Sequence, residues 1–259
     1  MTSALIKYSA VTTKARAMYG KCLPPSDWEK LAACNTLRGV YDLTARCPAW
    51  TAVGEDPRCA ADAALFAAAL DGQLHRDCKA LCLYLSKADR ETLTRYLKGP
   101  FDGGMTPEEV RSWWRDGGVK NAGLRRAAGA EADALNLVYV LRLRRFPGSA
   151  QEADALLIPI RDRLTPELVR RLLSAKDDRA VLDILSRTPW SAAFTSLEPG
   201  ALERQYETYM ADFCRRVLQS ARPGLTVAQA FLLLKDKERG RLVRASGAAA
   251  RGFEARLVL

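Results

Sequence analysis

Alternating runs of β-branched residues are missing from this 259-residue sequence, which excludes sheet-based folds. Histidine is nearly absent too: His75 stands alone, so any histidine triad or acid–base pair would have to use it, and no Gly-x-Ser-x-Gly turn accompanies it. Gly20-Lys21-Cys22 lacks both the preceding glycine and the Ser or Thr of a phosphate-binding loop. Nucleotide hydrolysis is therefore not expected, nor is any catalytic residue or cofactor. The longest apolar run, Ala63 to Leu70, is far below the roughly 20 residues that a spanning helix needs, so no direct transmembrane segment is expected. The seven cysteines are an odd number with no disulfide-framework spacing, and Met1-Thr-Ser-Ala-Leu-Ile-Lys7 is too short and too soon charged for a signal peptide. That usage reads as a reducing cytosol.

What is there is helical. Amphipathic stretches rich in Leu, Ala and Arg follow one another between Pro and Gly, and the fold class is all-α. The net charge of +10 and pI near 9.4 point to an acidic partner, a nucleic acid or an anionic surface. The basic residues are nevertheless spread along the whole chain, without the interleaved aromatics of a stacking platform, so nucleic acid is not expected.

The stretch Asp133 to Gly148 reads as a central, enclosed helix. Ala134, Leu137, Val138 and Leu141 form an i, i+3, i+4, i+7 stripe, and Leu135, Tyr139, Val140 and Leu143 extend it around the surface. Glu131 and Asp133 suit the positive end of its dipole; Arg142, Arg144 and Arg145 suit the negative end, before Pro147-Gly148. Asn136 lies inside the stripe and is expected to tie the helix to a neighbour through its amide.

Helices are also expected at Tyr8–Tyr19, after Pro24-Pro25 with Ser26 as N-cap, and between Asp62 and Leu97 with breaks near Gly72 and Asp89. Further ones are expected at Ile160–Ser174, Asp177–Arg187, Ala201–Ser220 and Thr226–Ala245. A short helix starts at Thr106-Pro107-Glu108-Glu109, which has an N-cap, an N1 proline and an N3 glutamate in order.

The chain repeats itself. Leu23 to Ala49 align without a gap on Leu164 to Trp190 at an offset of 141, with Leu23/Leu164, Pro25/Pro166, Arg38/Arg179, Asp42/Asp183, Arg46/Arg187 and Pro48/Pro189 among the identities. A weaker echo at an offset of 105 pairs Asp133 with Glu238, Leu137 with Leu242 and Val138 with Val243. The surplus of 36 residues matches a Gly-rich segment, so the expected organisation is a first helical module at 1–98, an insertion or reduced third repeat at 99–130, and the central helix with a second module at 131–259.

The echo places two basic groups in related positions, Arg142, Arg144, Arg145 and Arg239, Arg241, Arg244. They read either as helix-end complementation or as a positive patch for an acidic partner. Trp113 and Trp114 point about 100° apart on a helix, which favours an interface role for one of them. His75, Cys78 and Cys82 share one helical face and are the candidate zinc ligands, against the plainer reading of buried thiols.

The succession Tyr8…Lys14-Ala-Arg16-Ala-Met18, Leu31…Leu37…Tyr41, Asp133-x-x-Asn136-Leu137-x-x-x-Leu141-Arg142, Leu202-Glu203 and Ala230-Phe-Leu-Leu-Leu-Lys235-Asp-Lys-Glu238 resembles the C (or d, AC39-type) subunit of V/A-type ATPases. Arg239-Gly240-Arg241 departs from that family's apolar residue, Arg and Asn. The resemblance implies repeated helical bundles in a pseudo-threefold, funnel-like socket, here with one repeat reduced, and Asp133, Asn136 and Glu238 as structural positions. It implies a non-catalytic central-stalk subunit on the cytoplasmic side of the membrane, peripheral through its complex. Its partners would be the central-shaft subunits (D/F type) and the membrane rotor ring (K/c type), and its role the transmission of rotation for proton or sodium transport. The alternatives are a basic α-helical nucleic-acid-binding protein and an unrelated helical-repeat adaptor.

Overall fold

Prolines and short polar caps start the helices. In the computed structural model, which describes residues 2–97, 106–115, 121–146 and 155–255, the described residues form twelve α-helices and one 3₁₀ turn, with no strand. They are α1 (Thr2–Tyr19), α2 (Pro25–Ala32), α3 (Leu37–Ala45), α4 (Thr51–Glu55), α5 (Ala63–Cys82), α6 (Lys87–Leu97), α7 (Pro107–Arg115), α8 (Ala122–Leu143), α9 (Pro166–Leu173), α10 (Asp178–Ser186), α11 (Pro199–Ser220) and α12 (Leu225–Ala249). The Thr106–Glu109 capping box forms, Glu109 N–H donating to Thr106 Oγ1 at 3.3 Å and Thr106 N–H to the Glu109 carboxylate at 2.6 Å. Thr36, Asp62, Thr165 and Asp177 cap α3, α5, α9 and α10 through side-chain oxygens that accept first-turn N–H groups.

Several boundaries differ from the sequence reading. Pro25 is the first residue of α2, with Pro24 before it making no side-chain cap, so Ser26 is not the N-cap. The break between α2 and α3 falls at 33–36, where Thr36 caps α3 through Gly39 N–H. α5 runs unbroken through Gly72. The central helix begins eleven residues before Asp133, where Asn121 accepts from Gly123 and Leu124 N–H at 3.1 Å each. Glu131 and Asp133 are therefore buried mid-helix, not at its positive end. Pro147-Gly148 and most of the Gly-rich segment lie outside the described residues.

The chain forms two compact units, 1–86 with 214–259, and 87–213. This partition differs from the consecutive segments 1–98, 99–130 and 131–259 because α12 packs against α1, α3 and α5, in the same unit. In the first unit, Leu31, Val40, Trp50, Val53, Phe66, Leu70 and Leu242 form one core. In the second, Leu137, Val138, Val140 and Leu141 of α8 meet Leu164, Val169, Leu172, Val181, Leu185, Trp190 and Phe194. Each fully buried side chain of this size contributes about 1.5–3 kcal/mol. Tyr139 and Arg142 are exposed, so α8 is enclosed on most but not all of its circumference.

The expected helix from Ile160 is instead an irregular, bent strap as far as Thr165, and helix begins only at Pro166. Gly129 makes room for it: a Cβ there would lie 2.7 Å from Asp162 Cβ. Gly129→Ala is accordingly expected to destabilise the fold by about 1–3 kcal/mol despite the better helix propensity of Ala. Urea denaturation checks this, and an unchanged midpoint would show that the strap is not seated on α8.

Candidate functional site

One turn beyond Gly129, Asp133 faces the strap. Its carboxylate accepts the backbone N–H groups of Asp162 at 3.0 Å, Arg163, and Leu164 at 3.1 Å. Burial pushes its carboxyl up and the three N–H donors oppose that. Asn136, on the same face, donates to Ile158 O at 2.9 Å and Ile160 O at 3.3 Å and accepts from Ile158 N–H at 2.8 Å. The amide thus ties α8 to an adjoining segment of chain, as its position in an apolar stripe required.

The first unit contains a counterpart. Glu238 of α12 is half-buried, with its carboxyl turned inward to accept from the backbone of Leu23 and from Trp50 Nε1. Leu23 corresponds to Leu164 at the offset of 141, and Glu238 to Asp133 at the offset of 105. The two sequence echoes therefore meet in one contact: an acid on a long helix holds the turn that precedes a proline-started helix. The bounds of α2 and α9 also differ by 141.

A polar cluster that the sequence reading missed surrounds Glu238. Lys235, completely buried, donates to Ala49 O, lies 3.5 Å from Asp77 Oδ2 and sits 3.5 Å over the Trp50 ring. Gln73 donates to Asp77 Oδ1 at 2.9 Å and accepts from Thr51 Oγ1 and Ala52 N–H at 3.2 Å each. Lys235 appeared only as one letter in an apolar run. Its spacing of one turn from Glu238 was the available signal.

Arg142 pairs with Glu203, Arg144 with Asp178, and Arg145 donates to Leu197 O. The Arg144 side chain is only 10% exposed. Arg239 pairs with Asp236 at 2.8 Å and Asp71 at 3.0 Å, Arg241 lies 5.8 Å from the Trp28 ring, and Arg244 is exposed. Both basic groups are thus extensively engaged within their own units. Trp113 is buried; Trp114 is half-buried beneath the Arg125 guanidinium, 4.2 Å away.

His75 is exposed, whereas Cys78 and Cys82 are half-buried and hydrogen-bonded to each other. Burial pushes the Cys78 thiol up to about 11, with Cys82 adding to it. Among the described residues no three His, Cys, Asp or Glu side chains gather as a metal would require, so the candidate zinc set is not assembled.

Removing one member of a buried ion pair strands the other. Lys235→Met and Asp77→Leu are each expected to cost about 3–5 kcal/mol, and the double variant less than their sum. Denaturation of all four proteins checks this; strict additivity would deny the coupling. Burial also raises the Glu238 carboxyl above its ordinary value. The native state then holds a proton that the unfolded chain has released, so this residue's contribution to stability falls as pH rises through that interval. Glu238→Gln is expected to flatten the fall that sets in above the ordinary glutamate range, measured as urea midpoint against pH. An unaltered slope would count against it.

No curated protein matches the chain. The sequence profile of the family described as "ATP synthase (C/AC39) subunit" matches residues 112–255, more than half of the chain, and that span includes Asp133, Asn136, Lys235 and Glu238. The chain belongs to the ATP synthase (C/AC39) subunit family.

Proposed function

We propose that this chain is a non-catalytic central-stalk subunit of a V/A-type ATPase, joining the rotor shaft to the membrane rotor ring and transmitting rotation for proton or sodium transport. The observation that carries the reading is the family match across 112–255, together with the all-α fold. No helix among the described residues is long and apolar enough to cross a membrane, which is compatible with attachment through partners on the cytoplasmic side. A torque-transmitting part must resist deformation. The acid-held turns at Asp133 and Glu238 supply such resistance within each unit.

The partners in this reading are the shaft (D/F type) and ring (K/c type) subunits, arranged around a funnel with pseudo-threefold repeats. Of the two arginine groups, Arg142 and Arg244 are the members proposed to meet them, because both are exposed whereas the Arg144 side chain is nearly buried against Asp178. Trp114 joins them through its half-exposed ring.

Affinity purification of the tagged chain from gently solubilised membranes is expected to recover ring, shaft and catalytic-head subunits. Arg142→Glu with Arg244→Glu is expected to weaken that recovery while helix content stays unchanged. Recovery of nucleic acid or unrelated proteins, with no ATPase subunits, would overturn the reading.

A further inference from the structure

A cavity of about 240 Å³ opens in the first unit, lined by Lys21, Cys22, Asp27, Lys30, Arg46 and Cys47 with Pro24, Leu43 and Pro48. Its charge is unbalanced. Lys30 is neutralised by Asp27 at 2.8 Å, but among the described residues neither Lys21 nor Arg46 has a carboxylate partner.

The repeat shows that this is a departure from its counterpart. Arg38, Asp42 and Arg46 of the first copy correspond to Arg179, Asp183 and Arg187 of the second, each carboxylate standing one turn from two arginines. In the second copy Asp183 pairs forward with Arg187 at 3.7 Å. In the first copy Asp42 pairs backward with Arg38 at 3.0 Å, which releases Arg46 to the cavity rim. Lys21 corresponds to Asp162, so a cation stands where the second copy has an acid.

The floor does not oppose an anion. Burial, with Glu238 adding to it, pushes the Cys22 thiol up to about 12, and burial raises Cys47 as well. Both are neutral thiols at physiological pH, Cys47 donating to Lys21 O at 3.3 Å. Drug-sized ligands occupy about 300–1,000 Å³, so this cavity takes a smaller group. A guanidinium and an ammonium lining one cavity match a phosphoryl dianion in charge and donor type.

From the unpaired Lys21 and Arg46 at the rim of this cavity, we infer that it is a binding site for a phosphoryl group, carried by a free phosphate compound or by a lipid headgroup. The site lies outside residues 112–255 and its test does not depend on the stalk role.

Inorganic pyrophosphate titrated into the intact chain by calorimetry, and flotation with vesicles containing phosphatidic acid, separate the two sources. Saturable binding of either probe is expected to weaken about tenfold or more in Lys21→Glu and Arg46→Glu, with circular dichroism unchanged. Pyrophosphate binding marks a free ligand; vesicle binding alone marks a lipid headgroup. Failure of both probes at millimolar concentration, or binding retained in both variants, would overturn the assignment.

Discussion

A carboxylate on a long helix that takes the backbone N–H of the turn before a shorter, proline-started helix is the contact on which both units depend. Such a turn has no secondary structure to satisfy its own donors, and burying them unpaired would cost about 1–3 kcal/mol each. Asp133 removes that cost at Asp162, Arg163 and Leu164; Glu238 does so at Leu23. Once the turn is held, the following helix is directed onto the core. Pro166 then starts α9 so that Val169 and Leu172 meet α8, and Pro25 starts α2 so that Leu31 joins Val40 and Trp50. The acid is thus a registration device, coupling the position of a helix to a residue far away in sequence.

The two copies solve the same problem with different accompaniments. In the second unit an amide, Asn136, completes the hold on the strap, and every bond runs to backbone. In the first unit the position of Asn136 is taken by Arg241, and the space beside Glu238 is filled by Trp50 and the buried ammonium of Lys235. A buried ammonium is costly to desolvate. Ala49 O, Asp77 and the Trp50 face together offset that cost, and Gln73 fixes Asp77 in turn. The result is a unit whose interior is charged, hydrogen-bonded and sensitive to loss of any one member.

The same logic explains why the arginine groups are poor guides to a surface. A cation near a helix end finds local acids and carbonyl groups first, as Arg144 finds Asp178 and Arg145 finds Leu197 O. Charge that remains after such pairing is the informative residue of the pattern. Comparison of Asp42 with Asp183 shows that one choice of rotamer and partner decides whether the next arginine is consumed or left at a cavity rim.

Periodicity, proline spacing and the absence of strand patterning determined the all-α class from the sequence alone, because helix starts and apolar stripes are local properties. The capping box at Thr106, the repeat that relates the segments after Leu23 and Leu164 and the largely enclosed character of α8 were legible for that reason. The collinear Asp133, Asn136 and Glu238 also placed the family. What the tertiary structure decided was what those residues hold. Asp133 read as a helix-end acid because its three donors lie some thirty residues away, and nothing local distinguished Gly129 within the Gly-rich segment, because the strap that needs its missing Cβ is equally remote. Lys235 was invisible as a core residue, since only the convergence of Trp50, Asp77 and Ala49 makes a lysine burial tolerable. Pairings between distant segments carry no local signature, and in this chain they determine where the buried charges go.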